Sequence, residues 1–219
     1  MTTKLWSKNW IIDIVDGEWE SRIDESGPAR IESIWFRTPE RGIGYARGCI
    51  LTVPGKFFAE TLLIYPSDGW NFPIFGSEYI GMGKRFFGAM DFHPPSSDNR
   101  PVEMFFPDFP HRKIENSKHY DLNTYFSTKL WHERSETPFY ERFEAEARAR
   151  ATAYVSRLPL GTGYAPSFQC FDRYMALHDP AHGILRSYFG AEFANDYIKG
   201  FLFPHASNYE LGPVQANHS

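Results

Sequence analysis

Residues 62–94 read LLIYPSDGWNFPIFGSEYIGMGKRFFGAMDFHP and contain the clearest structural signal in the chain. Two runs rich in aromatic and branched residues, 72–80 and 86–92, are separated by Gly-Met-Gly-Lys. Such runs around a glycine turn are typical of two antiparallel strands joined in a hairpin. Glu78 lies inside the first run, where a carboxylate loses its hydration unless the protein has a use for it. We therefore take Glu78 as the first candidate for a chemical role.

The chain before this hairpin predicts further strands. Apolar runs at 29–37, 46–53 and 56–65 are separated by short turn sequences, and no helical period occurs between them. Residues 10–22 fit an entry segment followed by an edge strand. Because five or six strands with short links follow one another, the sequence predicts an antiparallel sheet.

The character of the sequence changes after the hairpin. Repeated prolines in residues 94–110 predict a long loop, and residues 123–131 fit a short helix. Thr137 and Pro138 then predict an N-cap and the first turn of a long helix, whose apolar stripe continues to residue 158.

Three more helices are predicted near the C-terminus. Residues 167–177 and 191–203 carry apolar side chains at helical spacing, and a short helix after Asp179 and Pro180 ends at Gly190. Asp179 can be interpreted entirely as the N-cap of that short helix. The tail from about residue 208 is expected to be mobile.

Length and composition limit the class of protein. With 219 residues, 42% of them hydrophobic and 17% aromatic, the chain fits a single domain with a large core. A net charge of −4 argues against a nucleic-acid binder. Neither a membrane span nor a signal peptide is evident, so a cytoplasmic location is expected. We also expect a monomer. Cys49 and Cys170 are interpreted as reduced core thiols. The many aromatic residues suggest a large flat ligand.

Several common catalytic motifs are absent. The sequence has no Walker A loop, dinucleotide-binding glycine motif, HExxH or GxSxG. His178 and His182 are four residues apart, but Pro180 lies between them and no third ligand is evident, so no metal site is predicted. Glu78 and Asp179 remain, a pair of acids suited to proton chemistry on an apolar ligand.

Blocks along the chain carry a family resemblance. FPIFGSE at 72–78, MDFHP at 90–94, YDLNTYFS at 120–127 and DPAHG at 179–183, followed by YFG and FLFP, resemble the ferredoxin-dependent bilin reductases. The blocks stand in family order over roughly residues 45–206, and the last resembles the phycoerythrobilin-forming branches.

The resemblance implies an α+β fold, a three-layer α/β/α sandwich with a central antiparallel sheet flanked by helices. It also implies an enzyme of the EC 1.3.7 type that binds no metal or flavin and takes single electrons from reduced [2Fe-2S] ferredoxin. Its substrate would be biliverdin IXα, bound between the sheet and the C-terminal helices. Glu78 and Asp179 would then be catalytic, and Thr61, Phe75, His178 and His182 would contact the bilin.

Two positions depart from the family pattern. Glu78 stands where the pattern has an aspartate, and the extra methylene changes which pyrrole atom the carboxyl reaches. Thr61 falls where the phycocyanobilin-forming branch has a histidine, which disfavours that reaction because a hydroxyl has no useful acid–base pKa. Asp91 matches a family aspartate and is interpreted as a structural group at the end of a strand.

Phycoerythrobilin is therefore the first expected product, by four-electron reduction of biliverdin. The alternatives are two-electron reduction to 15,16-dihydrobiliverdin, or reduction starting from dihydrobiliverdin. A non-catalytic bilin-binding or chaperone protein is the rival from another class, and a reductase of chlorophyll breakdown products is a third. Because ferredoxin is acidic, Lys84 and Arg85 at the hairpin turn are candidates for its docking, although such a pair at a turn is often solvated surface.

Overall fold

The first part of the molecule is built on a seven-stranded antiparallel sheet whose strands lie side by side in chain order. The computed structural model describes residues 20–38, 42–67, 70–94, 98–111, 125–158 and 168–206. The strands are β1 Glu20–Ser26, β2 Ala29–Thr38, β3 Ile43–Val53, β4 Phe57–Pro66, β5 Ile74–Met82, β6 Arg85–His93 and β7 Trp131–Ser135. The predicted antiparallel sheet and the α+β class are confirmed.

Short glycine turns set the pairing of the strands. Gly27, Gly55 and Gly83 lie between β1 and β2, β3 and β4, and β5 and β6, with φ of 55°, 72° and 60°. A side chain at such a φ is strained, so glycine suits these tight connections. All three turns lie at the same end of the sheet, because neighbouring strands run in opposite directions.

One face of the sheet carries the aromatic core. Phe75 and Tyr79 of β5 project toward the long helix α2 (Tyr140–Arg157), where they contact Tyr154 and Phe143. The ring of Phe143 comes so close to Gly88 of β6 that a Cβ there would lie 2.9 Å from it. The predicted apolar stripe of this helix is therefore confirmed as the side that covers the sheet.

Three predicted details of this unit are wrong. The segment expected to be a proline-rich loop contains a short helix α1, Arg100–Phe105, because Pro101 stands in its first turn, where no backbone donor is needed. Described residues 125–131 form turns and the start of β7 rather than a helix. Helix α2 begins after Phe139, so Thr137 and Pro138 precede it and do not cap it.

The second unit is helical. The chain divides into two compact units, Met1–Pro166 and Ser167–Ser219. Whether the units form one domain depends on how they pack, so the single domain expected from the sequence stays a prediction. The second unit contains α3 Gln169–His178, α4 Ala181–Phe189, α5 Ala191–Asp196, a π-helical turn Tyr197–Leu202 and a 3₁₀ turn Pro204–Ala206.

Glycine and aspartate fix the local geometry of this unit. Gly190, with φ of 91°, separates α4 from α5 as predicted. Asp172 of α3 accepts the backbone N–H of His205 at 2.9 Å, which fastens the C-terminal turn to α3. Cys170 is exposed at the start of α3, so its assignment to the core was wrong, whereas Cys49 is buried. The tail predicted to be mobile lies outside the described residues.

None of the helices in the described ranges combines the length and the apolar character that a membrane span needs.

Candidate active site

Glu78 lies at the centre of the sheet with a hydroxyl beside it. On β5 it is half-buried, directly opposite Thr61 of β4 on one side and Ala89 of β6 on the other. Facing residues of paired antiparallel strands project to the same side of the sheet, with Cβ atoms about 4.5–5.5 Å apart. The structure therefore brings together two residues that the sequence assigned to one site.

Phe75 lies on the other side of the sheet. It is three residues from Glu78 on the same strand, and side chains alternate along a strand. Its ring is fully buried and packs 5.9 Å, centroid to centroid, from the rings of Phe92 and Tyr154. The structure thus places Phe75 in the core beneath α2 and does not bring it to the face that carries Glu78.

A buried aspartate–histidine pair shares the face of Glu78. Asp91 of β6 accepts the backbone N–H of Ser127 at 2.6 Å and its hydroxyl at 2.5 Å. His93 lies two residues further, with Nδ1 3.0 Å from the carbonyl oxygen of Tyr125 and 3.7 Å from Asp91 Oδ2. Burial raises the pKa of Asp91 and lowers the pKa of His93, while their mutual attraction opposes both shifts. The sequence interpreted Asp91 as structural and did not single out His93.

Arg47 of β3 places a buried positive charge on the same face. Its register partner on β4 is Leu63, two residues from Thr61. The guanidinium donates to the hydroxyl of Tyr65 at 2.7 Å and lies over the rings of Tyr45 and Tyr65, at 5.1 and 4.6 Å. Sequence reasoning missed this residue, although an arginine inside an apolar strand was a usable signal.

Asp179 in the second unit caps helix α4. Its Oδ1 accepts the backbone N–H of Ala181 at 2.7 Å, and its carbonyl oxygen accepts that of His182 at 3.2 Å. This geometry matches the N-cap expected from the sequence, because Asp179 is extended (φ −64°, ψ 116°) and Pro180, just before Ala181, already has helical angles (φ −65°, ψ −21°). Burial raises the pKa of Asp179 to about 6, although the Ala181 hydrogen bond and the charge of His182 oppose that shift. A carboxyl with this pKa can hold or release a proton near neutral pH.

The two histidines around Asp179 are held by different partners. The ring of His178 stacks on Tyr174 at 4.3 Å, and its Nδ1 lies 2.8 Å from the Tyr174 carbonyl oxygen. His182 Nε2 lies 3.0 Å from Asn195 Oδ1. Within the described part of the chain, no three His, Cys, Asp or Glu side chains group as metal ligands would.

Lys84 and Arg85 are exposed at the turn between β5 and β6. Lys56 is exposed in the turn before β4, and Phe57 pairs with Met82. All three basic side chains therefore lie at one end of the sheet, in a chain of net charge −4.

Sequence comparison finds named relatives of this chain. No protein-family model matches the chain. A 15,16-dihydrobiliverdin:ferredoxin oxidoreductase of Prochlorococcus marinus (strain MIT 9211) is 27% identical over 177 residues, covering 71% of this chain and 74% of the relative. A protein of the same name from Parasynechococcus marenigrum is 25% identical over 209 residues, covering 84% and 86%.

A solved structure has the same fold. Phytochromobilin synthase from tomato, in complex with biliverdin, matches with a TM-score of 0.71 over 92% of this chain and 84% of that one, at 17% identity. The chain is thus similar to ferredoxin-dependent bilin reductases in both sequence and fold. The family resemblance inferred from the sequence blocks is thereby confirmed.

Glu78 and Asp179, the two acids that the resemblance assigns to one site, belong to different units. Glu78 and Thr61 stand on the sheet of the first unit, and Asp179 stands at the start of α4 in the second. The expectation that both carboxyls face one bilin stays a prediction.

Proposed function

We propose that this protein reduces biliverdin IXα with electrons from a [2Fe-2S] ferredoxin and that Glu78 donates protons to the bilin. The observation that carries the proposal is the division of the sheet into two faces. One face holds the aromatic core under α2, and the other holds Glu78 and Thr61 in register. Support also comes from relatives that are named as oxidoreductases of a bilin and ferredoxin.

The proposed chemistry needs protons from the protein. Reducing one double bond of a bilin takes two electrons and two protons. Ferredoxin delivers the electrons singly, so a bilin radical forms between the two steps, and no bound metal or flavin takes part. Glu78 supplies one proton from the sheet. Asp179, whose pKa is about 6, is the candidate for the other.

The names of the relatives favour a two-electron reaction that yields 15,16-dihydrobiliverdin. The last sequence block instead led us to expect phycoerythrobilin, by four electrons, and that product remains the second candidate. Glu78 bears on the choice, because a carboxyl displaced by about 1 Å reaches a different carbon or nitrogen of the tetrapyrrole.

The test is a reduction assay with product identification. The protein is incubated without oxygen with biliverdin IXα, ferredoxin and a system that keeps ferredoxin reduced, and the pigments are separated by chromatography. We expect 15,16-dihydrobiliverdin to accumulate and to persist when more reductant is added. Complete conversion to phycoerythrobilin would replace the two-electron assignment by the four-electron one, and the same assay started from dihydrobiliverdin tests the remaining alternative.

A non-catalytic bilin-binding protein is the second candidate function. The observation that favours it is Glu78 itself, which stands where the family pattern has an aspartate. A binding protein would form a coloured complex with biliverdin whose absorption spectrum stays unchanged when reduced ferredoxin is added. Such a result would contradict the proposed reductase.

A further inference from the structure

The ring of His93 lies over strand β5 above Gly76, the residue that precedes Glu78 on the same face of the sheet. A Cβ atom built on Gly76 would be 2.7 Å from His93 Nε2, closer than real Cβ atoms approach any atom. Gly76 and Glu78 are successive residues on the same face of β5, about 6.6 Å apart along the strand. The absence of a side chain at Gly76 thus lets the imidazole reach toward the carboxyl-bearing position.

His93 is held in this position from three sides. Nδ1 lies 3.0 Å from the carbonyl oxygen of Tyr125, and the ring of Phe126 meets the imidazole edge-on at 5.0 Å. Asp91 Oδ2 is 3.7 Å from Nδ1, and Asp91 is itself fixed by two hydrogen bonds from Ser127. The segment 125–127 is therefore clamped against the end of β6.

These contacts determine the tautomer of His93. A carbonyl oxygen only accepts, so Nδ1 carries the hydrogen of the neutral ring, and Nε2, the nitrogen above Gly76, carries the lone pair. Burial lowers the pKa of His93, so the neutral ring is the resting form. The Asp91 carboxylate favours an imidazolium when one forms, as a nearby negative charge must.

We propose that His93 is a positioning residue that returns protons to Glu78 between successive protonations of the bilin; this inference rests on the proposed function. In the first step Glu78 gives its proton to the bilin radical anion and becomes a carboxylate. His93, which has taken a proton from the bulk solvent at Nε2, then passes that proton to the Glu78 carboxylate, directly or through one water molecule. Glu78 is again a carboxylic acid and His93 is again neutral, so no electrons move in the relay.

The relay explains why a buried Asp–His pair stands beside the candidate acid. Each reduced double bond consumes two protons, and a half-buried carboxyl must be reloaded at least once for repeated turnover. Because the bound ligand would cover Glu78, the reloading proton has to travel along the face of the sheet, and His93 lies on that face. His93 supplies an imidazole, a group that can take up and release a proton, held in place by Tyr125, Phe126 and Asp91.

The test uses four proteins: the wild type, His93→Gln, His93→Ala and the control variant Glu60→Gln. Glutamine can still donate to the Tyr125 carbonyl but cannot carry the proton, and alanine leaves space for added imidazole. Glu60 is a buried acid on the opposite face of the sheet and serves as the matched control. Biliverdin affinity, the rate of radical formation, turnover and the solvent deuterium isotope effect are measured for each protein.

We expect the His93 variants to bind biliverdin and form the first radical like the wild type, with turnover about 10-fold slower or more and a larger isotope effect. Imidazole should restore turnover of His93→Ala, which a purely structural role would not allow. Turnover of His93→Gln within about twofold of the wild type, or no rescue by imidazole, overturns the relay alone. A wild type that leaves biliverdin unreduced overturns the proposed function and the relay together.

Discussion

Glu78 is flanked on its face by small side chains. Its register neighbours are Thr61 on β4 and Ala89 on β6, so the longer glutamate side chain has room that a crowded position would not offer. An aspartate at the same place would hold its carboxyl about 1.5 Å closer to the strand. Because errors of about 1 Å change rates by ~100-fold, we expect the residue at this position to affect which atom of the bilin is protonated.

Replacing Glu78 tests its role as the proton donor. Glu78→Gln should retain biliverdin affinity and lower the turnover rate by ~10²-fold or more, because the amide has the same shape but no acidic proton. Glu78→Asp should keep activity but change the ratio of reduced bilins. Pigment chromatography after anaerobic reduction measures both effects. Full activity of Glu78→Gln would exclude it as the donor.

Substitution can separate the capping role of Asp179 from its proposed role as a proton donor. Asparagine also caps helices, whereas alanine does not, so Asp179→Asn should keep the stability of α4 and Asp179→Ala should lose about 0.5–2 kcal/mol in the free energy of unfolding. If the carboxyl also delivers a proton, both variants lose turnover. Denaturant unfolding and the reductase assay together give the answer. An Asp179→Asn protein with wild-type turnover would leave the aspartate with its capping role alone.

At the scale of elements, helix α2 meets the sheet through a buried carboxyl. The hydroxyl of Tyr140 donates to Glu60 Oε2 at 2.7 Å, and Glu60 is 4% exposed. Burial raises the pKa of Glu60 to about 7, although the hydrogen bond from Tyr140 opposes that shift, and Glu144 adds to it. Burial therefore favours the neutral acid at this position, whereas the hydrogen bond from Tyr140 favours the carboxylate.

This contact should make stability depend on pH. Because the folded-state pKa of Glu60 is raised from 4.5 to about 7, its contribution to stability is fully present below pH ~4.5 and is lost as pH rises through ~7. The change is on the order of 3 kcal/mol for this buried group. As the pH is raised from about 4 to about 9, the melting temperature of the wild type should fall. The melting temperature of Glu60→Gln should change less. Parallel curves for the two proteins would contradict this assignment.

Strand β7 shows how one element depends on the rest of the sheet. Its sequence, WHERS, is too short to be distinguished from a loop or helix end by periodicity. Its Trp131 pairs with Met90 and is buried against Phe139 and Phe143. The strand thus forms because an open edge of β6 and the start of α2 are available to it.

At the scale of the whole molecule, charge is unevenly distributed. The net charge is −4, yet Lys56, Lys84 and Arg85 are exposed at one end of the sheet. An acidic ferredoxin would be attracted to such an end, and the attraction would weaken as salt screens it. This arrangement agrees with the docking role that the sequence suggested for Lys84 and Arg85, which stays a prediction.

Charge reversal tests the docking surface. The double variant Lys84→Glu, Arg85→Glu should raise the ferredoxin concentration needed for half-maximal turnover by about 10-fold, with unchanged biliverdin affinity. A matched double reversal at Arg142 and Arg148, exposed or part-exposed on α2, is the control and should have little effect. The assay is repeated at several salt concentrations. An equal effect of both double variants would point to net charge rather than to a surface.

The sequence by itself determined the strands of the central meander, the long helix and the resemblance to a family, and it singled out the two acids as candidates. These depend on local signals, namely period-two and helical spacing, glycine turns, and short motifs in order. The tertiary structure decided which face each side chain occupies. The alternation of side chains along β5 places Phe75 and Glu78 on opposite faces of the sheet. It does not show which face packs against α2, because that helix lies about 60 residues later in the chain.

The tertiary structure alone also revealed the surroundings of Glu78. Thr61, His93 and Ser127 are distant in sequence and become neighbours of this face only through strand pairing and the clamp at Asp91. The raised pKa values of Glu60 and Asp179 likewise arise from burial, which a linear pattern does not contain. Pairing and desolvation are properties of the assembled chain, and the proposed proton path depends on both.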